Sequence, residues 1–94
     1  MATSADATKL LPVLDITKAK ELQSNLLDRI KNGSVLIDGS DVERIATPCV
    51  QLILAAARDC EAAGSPFRIL NISEAFKAAL VDLGLQPEFN RWMN

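Results

Sequence analysis

Ninety-four residues suffice for one hydrophobic core and not for a second, so the chain reads as a single domain working through one surface. Apolar residues at 49% and charged residues at 23% match ordinary globular proteins, and a net charge of −2 lacks the basic footprint of a nucleic-acid binder. With no histidine, no tyrosine and four dispersed glycines, the usual general base, the Ser/His/Asp and Cys/His nucleophile systems and a phosphate-cradling glycine loop are all missing, so the chain does not read as an enzyme.

Residues 1–8 are small and polar and read as a flexible tail ahead of a domain over 9–94. No basic stretch precedes an apolar one there, and Pro12 and Asp15 interrupt the apolar run after Lys9, which argues against a secretory signal. No segment approaches the roughly 20 apolar residues of a membrane span, so the expectation is a cytoplasmic protein without direct membrane insertion. Leu10, Leu11, Val13 and Leu14 form a short strand in which Pro12 cannot donate a ladder hydrogen bond and favours an edge or a bulge. The period then changes. Ala19, Leu22, Leu26 and Ile30, with Leu27 beside them, recur at helical spacing after a capping Thr17, and Asn32-Gly33 stops the helix.

Val35-Leu36-Ile37 shows no polar alternation and is expected to be buried on both faces, like a strand in a parallel sheet. Asp38-Gly39-Ser40-Asp41 ends it. Thr47 is placed to accept a backbone N–H as N-cap, and Pro48 suits the first helical position of a helix running to about Ala63. Gly64-Ser65-Pro66 breaks the chain before the strand Phe67-Arg68-Ile69-Leu70. Ser73 then caps a helix with the stripe Phe76, Ala79, Leu80 and Leu83, closed by Gly84. Phe89 and Trp92 mark a last helical turn over the core. Strands alternating with helices through short loops imply parallel pairing with right-handed crossovers. The fold class is therefore α/β, a small single domain with a mixed, mostly parallel sheet flanked by helices.

Asp38, Asp41 and Glu43 could serve acid/base or magnesium chemistry, but as solvated turn residues near a helix N-terminus they need no such role. Cys49 and Cys60, eleven residues apart on one helix, stand roughly 16 Å from each other, too far for a disulfide. With no histidine they cannot build a zinc site either, and they read as small buried hydrophobes. If Val50, Ile53, Leu54 and Ala57 face the sheet, with Cys60 at the margin, the far side of that helix carries Gln51, Leu52, Ala55, Ala56, Asp59, Ala62 and Ala63. That side is small and weakly apolar where Lys and Glu are usual. It suits close approach of a protein partner, and equally a helix built from good helix formers or covered by a loop. No cofactor or metal is called for.

The blocks Pro12-Val13-Leu14-Asp15-Ile16-Thr17, Val35-Leu36-Ile37-Asp38-Gly39-Ser40 and Ala46-Thr47-Pro48-Cys49-Val50-Gln51-Leu52-Ile53-Leu54 resemble successive blocks of the STAS domain, the fold of anti-sigma factor antagonists. Ser73-Glu74-Ala75-Phe76 and Leu83-Gly84-Leu85 are similar to that family's last helix and its closing Gly-Leu. The resemblance implies a non-enzymatic switch or adaptor, with a partner surface around the second helix at Asp41, Glu43, Arg44, Thr47, Gln51, Leu52 and Ala55. Phosphorylatable members open that helix with Asp-Ser-Ser-Gly and accept phosphate on the second serine. The corresponding residues here are Ala46, Thr47, Pro48 and Cys49, so proline stands on the acceptor position and Thr47 is the only nearby hydroxyl. The usual N-terminal hairpin looks shortened. Val42-Glu43-Arg44-Ile45 running into Cys49-Val50-Gln51-Leu52 resembles the small STAS proteins of bacterial chemotaxis, implying an adaptor for the chemotaxis histidine kinase. The alternatives are an anti-sigma factor antagonist in a partner-switching pathway regulated by serine/threonine phosphorylation, and a STAS subunit of a lipid or anion transporter.

Overall fold

The computed structural model describes residues 7–93. The expected tail over 1–8 lies outside the described residues as far as residue 6, whereas Thr8 and Lys9 form the first strand, β1 (Thr8–Lys9). The strand expected from Leu10 to Leu14 is divided. After β1 the chain bends at Pro12, whose carbonyl accepts from the backbone N–H groups of Glu43 and Arg44 at 2.7 and 3.0 Å, and resumes as β2 (Val13–Leu14). A proline cannot supply its own N–H to a ladder, so the break falls where its carbonyl is used instead.

A 3-10 turn at Ile16–Lys18 leads into α1 (Ala19–Lys31). Asp15 caps the 3-10 turn, its carboxylate accepting from the Thr17 backbone N–H at 3.0 Å, while α1 itself starts after Lys18 with no side-chain cap, so the expected Thr17 cap is not formed. The Thr17 hydroxyl donates to the same carboxylate oxygen, so the threonine supports the cap. Then come β3 (Val35–Asp38), β4 (Arg44–Ile45), α2 (Thr47–Ala63), β5 (Phe67–Leu70), α3 (Glu74–Asp82) and α4 (Gln86–Phe89).

Among the described residues every strand pairing is parallel. One sheet has the order β1-β3-β5, with Val35 opposite Phe67 and Ile37 opposite Ile69, and β2 pairs separately with β4. Met93 adds an isolated parallel bridge to Ile69 on the β5 edge. The expectation of burial on both faces of β3 is corrected here. Val35 and Ile37 are buried, Leu36 and Asp38 only half-buried, and β5 repeats the pattern with Phe67 and Ile69 inside and Arg68 exposed. The short apolar run shows no alternation because its outward Leu36 is only partly wet.

Helices α1 and α2 meet each other along their lengths, α1 meeting β3 and α2 meeting β5. Leu22 and Leu26 of α1 and Cys49, Val50, Ile53, Ala56, Ala57 and Cys60 of α2 supply the helical side of the core. Phe76 and Leu80 of α3 are fully buried in it. A Cβ on Gly39 would stand 3.0 Å from Cδ2 of Phe76, so a larger residue in the turn after β3 would crowd the ring of α3. Gly64, at φ 73°, closes α2 in the left-handed conformation. Beyond α4, Trp92 packs edge-on against Phe67 and Phe89, with centroids 5.8 and 5.4 Å away. No helix among the described residues is long and apolar enough to cross a membrane.

Candidate functional site

The start of α2 is built differently from the sequence expectation. Ala46, extended at φ −79° and ψ 151°, is the N-cap, and its carbonyl accepts from Cys49 and Val50 at 2.9 and 3.2 Å. Thr47 is the first helical residue and Pro48 the second, so no side chain caps this helix. Thr47 and Pro48 are exposed, whereas Cys49 and Val50 are fully buried. The helix end is held by backbone and sulfur contacts instead. Ala46 donates its N–H to the Leu14 carbonyl at 2.8 Å, and the Cys49 thiol donates to the Asp15 carbonyl at 3.5 Å.

A cysteine in the first turn of a helix commonly has a lowered pKa, because the helix dipole favours the thiolate. Burial reverses this for Cys49. Desolvation, with a smaller contribution from the Asp15 charge, raises its thiol pKa, so it offers no nucleophile. Cys60 is raised in the same way by burial and, less, by Asp59. Asp15 is held below the ordinary carboxylate range, first by the Thr17 hydroxyl, and Asp38 likewise by the Ser40 backbone N–H. Among the described residues no group of three or more His, Cys, Asp or Glu side chains could hold a metal ion.

The expected site residues fall into three places. Gln51 and Leu52 line the upper part of a groove between α1 and α2 with Lys20, Gln23 and Pro48. Leu52 and Ala55 continue it beside Leu26, Leu27 and Ile30. Arg44 borders a separate hollow with Val13, Asp15 and Ala46, immediately before α2. Asp41 belongs to neither; its carboxylate lies 3.6 Å from the Lys9 ammonium. Glu43 is exposed, and its backbone N–H donates to the Pro12 carbonyl. The far side of α2 is thus partly covered, not open throughout. Ala56 is buried and Leu52 half-buried against α1, while Gln51, Ala55, Asp59 and Ala62 remain exposed.

Sequence reasoning missed the contribution of α1, whose Lys20, Gln23 and Leu27 form the other wall of the groove. The available signal was Leu27, an apolar residue lying just off the buried stripe and 51% exposed. Ile16, 69% exposed in the turn that packs on α2, was likewise visible as an apolar residue between two polar ones.

The family model described as "Mlab, STAS domain" matches residues 3–87. The chain belongs to this STAS family. The STAS fold is also seen in the solved structure of the anti-sigma factor antagonist SpoIIAA in its unphosphorylated form. That structure shares 21% identity at a TM-score of 0.72 over 100% of this chain and 82% of the other. No curated protein matches the chain. STAS domains of this kind form a non-enzymatic, protein-binding regulatory family, and in this one Thr47 and Pro48 are the exposed residues that open α2.

Proposed function

We propose that this STAS domain is a cytoplasmic, non-enzymatic adaptor in bacterial signal transduction, docking on the histidine kinase of a chemotaxis system through the surface around α2. The observation that carries the reading is the first turn of α2. Thr47 and Pro48 in it are exposed and no side chain caps it, the hollow at Arg44 lies on one side and the α1/α2 groove on the other, and on the resemblance to phosphorylatable members Pro48 leaves no hydroxyl on the acceptor position. An adaptor that binds without a phosphate switch needs this surface and no more. The chemotaxis partner is supported by the likeness of Val42–Ile45 and Cys49–Leu52 to chemotaxis-linked STAS proteins.

The fold likeness to SpoIIAA favours a second reading, an anti-sigma factor antagonist. There Thr47, the exposed hydroxyl beside Pro48, would take the phosphate. Affinity capture from the native cell with the tagged chain separates these readings. A co-purifying histidine kinase supports the first. A serine kinase with a sigma regulator, together with phosphothreonine at Thr47, supports the second, and an ATPase subunit would replace both with a transporter role.

A further inference from the structure

Charge along the α1/α2 groove is confined to its two ends. Its middle is formed by Gln23, Leu27, Leu52 and Ala55, uncharged and in part apolar, with Leu27 standing 51% exposed. Lys20 closes one end beside Gln51, and Asp59 closes the other beside Ile30 and Ala56. Both are exposed, and neither forms an ion pair among the described residues.

A surface with one positive end, one negative end and a neutral centre is self-complementary. A two-fold axis across the middle of the groove exchanges its ends and sets each Lys20 against the Asp59 of the other copy. We infer that this face is an isologous dimer interface, in which two copies of the chain pack α1 and α2 against each other antiparallel, with Lys20 and Asp59 paired twice across the axis. Exposed Leu27 is buried in the process, and Ala55 allows the helices to approach closely. The inference does not rest on the docking role and competes with it, since a dimer covers Gln51, Leu52 and Ala55 and a partner docking there would have to displace the second copy.

The geometry gives a specific test, because reversing either charge is repulsive within one variant but attractive between two. In a Lys20→Glu homodimer both contacts place Glu against Asp; in an Asp59→Lys homodimer both place Lys against Lys. A mixed pair restores opposite charges at both contacts. Sedimentation velocity on the full chain at low salt, over a rising concentration series, is expected to show a monomer–dimer equilibrium. Each single variant should weaken it by about tenfold, and the equimolar mixture should recover parental association. Added salt should weaken the parental dimer. Circular dichroism checks that the variants, altered only at exposed side chains, stay folded. A parental chain that remains monomeric throughout overturns the inference and leaves the groove to another partner. So does a dimer that ignores both reversals, or a mixture that associates no better than the separate variants.

Discussion

The Cys49 thiol donates to the carbonyl oxygen of Asp15 at 3.5 Å, so the turn that opens α1 also holds the first turn of α2. The same residue thus has one oxygen of its carboxylate on the 3-10 turn that leads into α1 and its main-chain carbonyl on α2. The starts of the two helices, beside the proposed docking surface, are thereby tied to each other.

Burial and the raised thiol pKa at Cys49 and Cys60 predict chemical inertness. Iodoacetamide followed by mass spectrometry should find neither cysteine alkylated in the folded protein and both alkylated in denaturant. Rapid labelling of Cys49 in the folded state would show that the first turn of α2 opens.

The identity of the α2 cap has a direct energetic consequence. Thr47 is exposed and caps nothing, so Thr47→Ala should change stability by less than about 0.5 kcal/mol. Ala46→Asp supplies the missing cap and should stabilise by about 1 kcal/mol, as urea denaturation would show. A loss near 1 kcal/mol for Thr47→Ala would return the capping role to Thr47.

Asp15 and Asp38 both have folded pKa values below the unstructured value of 3.8, chiefly through the Thr17 hydroxyl and the Ser40 backbone N–H respectively. A depressed folded value means stability that is fully present above the unfolded pKa and is lost as pH falls through the folded one. Melting temperature should therefore be flat near neutrality and decline below about pH 4. Asp15→Asn, which cannot titrate, should show a shallower decline, and an identical acid limb in parent and variant would contradict the cap.

Leu80 is fully buried in the α3 stripe, and Leu80→Ala should cost roughly 2–5 kcal/mol in chemical denaturation. A cost within 1 kcal/mol would mean that α3 packs loosely on the core.

Where the chain carries a long period or an unmistakable breaker, its structure was legible. Ala19 to Ile30, Pro48 to Ala63 and Phe76 to Leu83 announce helices, and Gly64 and Gly84 close two of them with φ values of 73° and 71°. What escaped lacks a period. β1, β2 and β4 are two residues each, too short for alternation to register, and Thr8 and Arg44 join strands because a neighbouring backbone offers partners. Both misplaced caps were threonines near the true position. At α2, which residue turns extended is decided by the Ala46 N–H and the Cys49 thiol donating to the carbonyls of Leu14 and Asp15, which lie far from α2 in sequence. The groove proposed for docking was only half legible for a similar reason: the residues of α2 could be enumerated from the helix period, but the wall supplied by α1 follows from how two helices lie on one sheet.

Affinity between the captured partner and the chain carrying Ala55→Arg is the most direct test of the docking surface. Ala55 is exposed in the groove, so arginine should leave the fold intact while placing a long charged side chain where close approach is required. The expected result is a parental melting temperature and a dissociation constant weakened by at least about tenfold in titration calorimetry. Parental affinity in the folded variant would place the interface elsewhere, and unfolding would show that this side of α2 belongs to the core.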